Sequence, residues 1–302
     1  MTGARSIAMS RDTRGFIVVA VLWMLAALSA LVLIYLNYVT NTAVTIAGNT
    51  DRVQTDALVN AAVELAAYRL TGKGDERPTS GTFSARIGMG QVAVTFCSEA
   101  ARVDLNAAPK GLLSGLMIAL GVDANEAAGY ADRILAWRAS TEAGQADPED
   151  SYYRNIGTTY LPRHAPFPHV EELRLVRGIP PLVVERMLPF VTVFSNMRAV
   201  NVMDAAPQVV AAMPGMTPGT VQQLLKERTD PRISPQSVIG LAGSANATLE
   251  SARAYRLTVA AESPTRRQSS AEIVILLLDG TDEPYRVLSW HNAFDGSAGK
   301  PL

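Results

Sequence analysis

From Phe16 to Tyr38 no charged residue interrupts the chain, and Ser29 and Asn37 are the only strongly polar members of the run. In a helix rising about 1.5 Å per residue, about 20 such residues span a bilayer core of about 30 Å. Arg5, Arg11 and Arg14 stand in front of it against Asp12, and the first charges behind it are Asp51 and Arg52. Positive charge ahead of the span places the amino terminus in the cytoplasm and the rest of the chain beyond the membrane. A cleaved secretory signal has a shorter apolar core with its small-residue cleavage site behind it, whereas Ala26 and Ala27 lie inside this run. A retained single-pass anchor is the consequence.

Past Tyr38 the pattern stays helical but becomes one-sided. Val53, Ala57, Ala61, Leu65 and Tyr68 recur at three- and four-residue spacings, with Asp51, Asp56 and Glu64 elsewhere on the wheel. Gly48-Asn49 is a candidate kink, and Thr71-Gly72-Lys73-Gly74 is a stop signal followed by a polar loop to Ser80. Phe83, Ala85 and Ile87, then Val92, Val94 and Phe96, alternate on either side of Gly88-Met89-Gly90, which predicts a β-hairpin. Strand-like runs return at Phe190–Phe194, Tyr255–Ala260, Ala271–Leu278 and Tyr285–Trp290, while Ala100 to Pro189 reads as helix or loop. Strands split by an α-rich stretch predict an α+β fold with a large all-α insertion, rather than alternating βαβ units.

The α-rich stretch opens with an internal echo. Val103-Asp104-Leu105-Asn106-Ala107-Ala108-Pro109 precedes Leu112, Leu113 and Leu116, and Val200-Asn201-Val202-Met203-Asp204-Ala205-Ala206-Pro207 precedes Val209, Val210 and Met213. In both, an apolar pair meets an Asp or Asn able to cap, and a proline falls in a first helical turn. Leu120-Gly121-Val122 and Pro214-Gly215-Met216 then supply tight turns before a second helix, and Val170 to Ile179 is a looser third copy turning at Gly178.

These copies look like helix–hairpin–helix units, which in DNA-binding proteins present hairpin N–H groups to phosphate with help from Lys and Arg. Here Asp123 and Glu126 surround the first hairpin, and Lys226 and Arg228 are offset by Glu227 and Asp230. The whole chain carries 27 Lys+Arg against 28 Asp+Glu, for a net charge of −1, so the counterion-release drive for phosphate binding is missing. Compact packing units are favoured, and a membrane-anchored DNA receptor is the alternative.

Arg14-Gly15-Phe16, a basic residue, a glycine and an aromatic opening an apolar helix, resembles the prepilin peptidase site of type IV pilins and type II secretion pseudopilins. The resemblance implies cleavage after Gly15 and N-methylation of Phe16. The fifth residue of the mature chain would be Ala20, where most pilins carry a glutamate. A carboxylate within the bilayer must find a partner, and its absence marks the K-type minor pseudopilin. The two echoed segments and Phe167-Pro168-His169-Val170-Glu171-Glu172-Leu173-Arg174-Leu175-Val176-Arg177-Gly178-Ile179 follow in the order of that family, so the chain resembles the type II secretion minor pseudopilin K.

The resemblance implies a pilin-like long helix on a small antiparallel sheet, at the tip of a periplasmic pseudopilus. Its partners would be minor pseudopilins I and J, other pseudopilins, the prepilin peptidase and inner-membrane lipid, with no nucleic acid. The implied division is a leader over 1–15, a helix over 16–72 with its membrane half at 16–38, a pilin-like domain over 80–99 and 190–294, an insert over 100–189 and a flexible tail over 295–302. Family members often hold calcium in an acidic stretch after the first helical repeat. Here Ala136-Trp137-Arg138-Ala139-Ser140-Thr141-Glu142 lacks the aspartates, leaving Asp147, Glu149 and Asp150 as a calcium set short of the roughly six to eight oxygens the ion takes.

No catalytic constellation emerges. The single cysteine, Cys97, ends an apolar strand and excludes a disulfide framework. His164 and His169 lie in a proline-rich loop and His291 follows the last strand, none with a local partner at ligand spacing. A non-enzyme is expected.

Overall fold

The computed structural model describes residues 13–71, 77–140, 147–243, 245–265, 268–279 and 283–293, with backbone alone for 13–16 and 41–51. The greater part of the expected leader, the stop signal beyond Thr71 and the expected tail lie outside the described residues. The chain divides into two compact units, Met1–Asp56 and Ala57–Leu302.

Helix α1 runs from Thr13 to Thr71 and belongs to both units. Within the first unit, Ile17–Thr40 is long and apolar enough to cross a membrane, with a mean hydropathy of 2.9 and none of it buried. Ile17, Trp23, Leu28 and Ile34 are all exposed. A helix apolar all round suits lipid better than water. Thr40, at its polar end, donates its hydroxyl to the Leu36 carbonyl at 2.9 Å, so that donor is satisfied within the helix. The backbone stays helical through Gly48 and Asn49.

In the second unit, the end of α1 covers an antiparallel five-stranded sheet whose strands, in spatial order, are those named next. The strands are β1 Ser80–Ile87, β2 Gly90–Ser98, β7 Ala254–Glu262, β8 Gln268–Leu277 and β9 Tyr285–Ala293. The helix buries Leu58, Val59, Ala62, Val63, Ala66, Ala67 and Leu70 against Val92, Val94, Leu257, Val259, Ile273 and Ile275. This face is rotated from the expected one: Val53 and Tyr68 are 68% and 76% exposed. The alanines explain the rotation, because they let the helix axis approach the sheet where a Tyr68 ring would hold it off. Each fully buried Val or Leu here contributes about 1.5–3 kcal/mol.

The expected hairpin forms, pairing Ile87 with Gly90. Gly88 has φ +59 at the first central position of the two-residue turn, where hairpins take glycine. Gly90 lets the end of α1 pack closely: a Cβ there would lie 2.5 Å from Leu58 Cδ1, so that side chain would have to move aside. The last three predicted strands appear as β7, β8 and β9, the outer pair carrying a register shift at Val274/Ile275.

Between β2 and β7 a second hydrophobic cluster forms, running from Val103 to Ala247. It comprises α2 Lys110–Ala119, α3 Ala124–Arg138, α4 Pro148–Asn155, a 3-10 turn Val170–Leu175, α5 Pro181–Met187, α6 Pro207–Ala211, α7 Pro218–Glu227 and α8 Pro235–Ala242. Two short parallel pairs complete it, β3 Val103–Asp104 with β4 Val191–Thr192 and β5 Val200–Asn201 with β6 Ala247–Thr248. The run Phe190–Phe194, expected to rejoin the main sheet, therefore contributes only β4, and it packs in the α-rich cluster. The expected pilin-like domain over 190–294 takes its start from the strand-like run Phe190–Phe194, whereas the chain re-enters the five-stranded sheet at Ala254. The two ends of the excursion meet, Ala252 N donating to Ser98 Oγ at 2.8 Å.

Candidate functional site

The echoed segments build the same frame twice. Asp104 and Asn201, 1% and 0% exposed, each end a two-residue strand and turn the backbone toward a helix. Asp104 Oδ1 accepts from Asn106 N at 2.7 Å, and Asn201 Oδ1 from Met203 N at 2.9 Å. The other side of each side chain reaches just past the parallel partner strand. Beyond β4 lie donors, the Ser195 hydroxyl at 2.8 Å and Asn196 N at 2.7 Å, and a carboxylate meets them. Beyond β6 lie the carbonyls of Leu249 and Glu250, at 3.2 and 3.1 Å from Asn201 Nδ2, and an amide meets those.

An arginine closes each frame from the second helix. Arg138 donates to the carbonyls of Leu105 and Ala108, and Arg228 to those of Val202 and Ala205. Partial burial pulls both guanidinium pKa values down, against the opposing pull of Asp104 on Arg138 and Asp204 on Arg228. The two frames touch where α2 meets α6, and there Gly115 is required: a Cβ would lie 1.9 Å from the Ala212 carbonyl oxygen.

Each of the three expected turns joins two helical segments through a glycine in the left-handed region, Gly121 at φ +90, Gly178 at +86 and Gly215 at +85. The segment before Gly178 is a 3-10 turn rather than an α-helix. Proline in the first turn of α5, α6, α7 and α8 costs no hydrogen bond. At the first hairpin, Asp123 caps α3 by accepting from Asn125 N at 2.9 Å, which puts a carboxylate where a phosphate would sit. At the second, Thr217 caps α7 through Thr220 N at 3.2 Å. The third is covered by Arg133, which stacks on Tyr152 with 3.8 Å to the ring centre, pairs with Glu149 at 2.8 Å and would have to shift for a Cβ at Gly178. Asn106 joins two of the family-like segments directly, bonding Phe167 N and O at 2.7 and 2.9 Å.

The acidic residues of α4 are already engaged. Asp147 caps the helix, accepting from Glu149 N at 2.7 Å. Glu149 faces Arg133, and Asp150 lies 2.8 Å from His164 Nε2 and 3.2 Å from Arg154. The hydrogen bond to Asp150 raises the His164 pKa. Among the described residues no group of three His, Cys, Asp or Glu side chains is placed to hold a metal ion.

Of the other sequence candidates, His169 and His291 are the pair brought close among the described residues. Burial drives the Cys97 thiol up to about 12, which disfavours the thiolate that a nucleophile needs. His169 caps the 3-10 turn through Glu171 N, and its ring meets that of His291 with centroids 6.0 Å apart. Sequence reasoning missed Glu99, 0% exposed between the two clusters. It pairs with Arg256 Nε at 2.7 Å and accepts from the Thr192 hydroxyl, while Arg256 also bonds Glu272. Burial works against the Arg256 cation, but Glu99 and Glu272 outweigh it and raise its pKa. A charge directly after the apolar strand was the one available signal.

Residues 97–196 match the family model of type II secretion system protein K. The matched stretch ends at Asn196, the residue whose N–H closes onto Asp104, so it takes in the whole of the first frame. The fold is similar to that of a chain in the crystal structure of the GspK-GspI-GspJ complex from the enterotoxigenic Escherichia coli Type 2 Secretion System. That likeness has a TM-score of 0.58 at 17% identity and covers 82% of this chain and 98% of that one. Comparison with curated protein sequences finds no match. The N-terminal apolar helix and the antiparallel sheet fit that fold, and over residues 97–196 the chain is similar to type II secretion system protein K.

Proposed function

We propose that this chain is a tip subunit of the type II secretion pseudopilus, initiating the fibre and so supporting export across the outer membrane. The observation that carries the reading is the protein K match over 97–196. Its partners are minor pseudopilins I and J, by analogy with the complex whose fold it shares. The role is structural rather than enzymatic. The Ile17–Thr40 helix holds the chain in the inner membrane, with a short cytoplasmic N-terminus and the bulk in the periplasm. Prepilin peptidase cuts after Gly15 and Phe16 is then methylated. Gly15 and Phe16 fall within the helical backbone of α1.

With Ala20 in place of a glutamate, this subunit has no carboxylate in the bilayer seeking a neighbour's amino terminus. A first subunit tolerates that lack. The α-rich excursion obstructs further subunits stacking above. Its glycine turns serve as helix–hairpin–helix packing units, and residues 99–252 form the inserted domain.

Intact mass of the protein from host membranes, with and without active prepilin peptidase, tests the pathway. The expected product is a chain beginning at N-methylated Phe16 only when the peptidase is present, co-purifying with minor pseudopilins I and J. An unprocessed chain in both strains overturns the pilin-pathway reading, and finding the subunit along the fibre shaft overturns the tip position.

A further inference from the structure

The α-rich excursion is rooted where it leaves and rejoins the sheet, and near its middle it also reaches back to β9. His169, the residue before the 3-10 turn, brings its ring to 6.0 Å from the His291 ring, centroid to centroid, with a tilt of 45°. His169 is half-buried, and His291 stands exposed on the outermost strand of the sheet. The same His169 ring caps the turn, its Nδ1 accepting from Glu171 N at 3.2 Å. An imidazole accepts at Nδ1 only when neutral, with its proton on Nε2, because the imidazolium has donors alone. His291 Nδ1 lies 3.1 Å from the Ser289 hydroxyl, a partner that can donate to the neutral ring or accept from the charged one. A proton on His169 therefore removes the cap, and a second on His291 sets two cations side by side.

The carboxylates around the pair are engaged with other groups. On the turn itself, Glu171 pairs with Arg174 Nε at 2.5 Å, and Glu172 accepts from the Trp137 indole at 3.1 Å and faces Arg163 at 3.4 Å. On β8, Glu272 lies directly across from His291 in register and bonds Arg256 of β7, which Glu99 shares. Arg286 stands toward the other end of β9. An ion pair with a charged His169 would have to be made at the expense of one of these contacts.

We infer that His169 and His291 form a pH-sensitive latch, which holds the α-rich excursion against the edge of the sheet near neutral pH and releases it in acid. The element released is the 3-10 turn and the Gly178 hairpin behind it. The frames stay closed, because the closures at Asp104 and Asn201 contain no histidine. Stability drawn from a neutral ring is present at high pH and is lost as protons bind. The inference does not rest on the secretion reading.

The test is a double-mutant cycle of His169→Asn and His291→Gln in the full-length chain in detergent. Thermal unfolding and hydrogen exchange are read at about pH 8 and about pH 5.5, on either side of the range in which histidine changes charge. Asn caps a turn through its side-chain oxygen, and neither replacement takes up a proton in this range. Both positions lie outside the buried clusters, so the variants should fold. At the higher pH the two positions should be coupled in favour of the wild-type pair; at the lower pH the coupling should vanish or reverse. Between the two, the wild-type Tm should fall by about 2–4 °C more than that of the double variant. Relative to the double variant at the same pH, the wild type should protect the amides of 170–178 at the higher pH and lose that protection at the lower. The same pH dependence in all four proteins overturns the latch. Coupling that persists unchanged in acid overturns its release, and a pH dependence removed by His169→Asn but untouched by His291→Gln overturns the pairing.

Discussion

The first and second frames of the α-rich region share their closure and differ in what lies inside it. Both turn on a buried Asp or Asn, both are clamped by an arginine on two carbonyls, and both end in a two-residue parallel pair. Between second helix and closing strand, however, the second frame uses only α8. The first carries α4, the 3-10 turn and α5, with a nest of Trp137, Tyr153, Tyr160 and Phe167. Main-chain closure is the fixed part of such a unit, and side-chain packing can be enlarged freely within it. Asp104 against Asn201 makes the same point at one residue: the turn is conserved between the frames, while the side chain's second atom is chosen by whether the facing segment offers donors or acceptors.

Several substitutions would break or sharpen this comparison. Asn201→Asp sets a buried carboxylate against two carbonyls and should destabilise by about 3–5 kcal/mol. The deficit should shrink as pH falls, because the protonated carboxyl can donate to one of them; urea melts at two pH values read it, and a pH-independent deficit contradicts the pairing described. Gly115→Ala drives a Cβ into the Ala212 carbonyl between the frames and should remove about 3 kcal/mol. If it is neutral, the frames do not meet there. Asp104→Asn turns one acceptor into a donor facing Ser195 and Asn196, at about 2 kcal/mol. Hydrogen exchange should show its effect concentrated over 103–196 and that of Asn201→Asp over 200–250, whereas identical maps would mean the two frames open as one. Arg174→Ala removes half-exposed pairs with Glu171 and Glu185 on the elaborated side of the first frame and should change stability by no more than about 0.5 kcal/mol.

What was legible in the sequence was what depends on near neighbours. The apolar run, the Gly88 hairpin, the glycine turns and the echo of 103–109 in 200–207 all carry local spacing. The pairing of the closing strands did not: Phe190–Phe194 reads as a strand, but its partner Val103–Asp104, and the pairing of Val200–Asn201 with Ala247–Thr248, are set only by distant contacts. The buried face of α1 was misread by a fraction of a turn, since alanine and valine occupy both sides and only the sheet decides between them. Of the acidic set, the residue types were visible, but the engagement of Asp150 by His164 needs a contact across fourteen residues. Glu99 needs a longer reach still, matched by an arginine 157 positions away.

The two ends of the excursion have an evolutionary consequence. Ser98 and Tyr255 are register partners on adjacent antiparallel strands, and Ser98 also accepts from Ala252. Everything between them hangs from what would otherwise be an ordinary strand-to-strand turn. Chain length added at such a point raises the closure entropy only logarithmically, and an inserted module with neighbouring ends leaves the host sheet unthreaded. A lineage could therefore gain, enlarge or discard this cargo in a single genetic event, keeping the helix and the order of the strands as it found them.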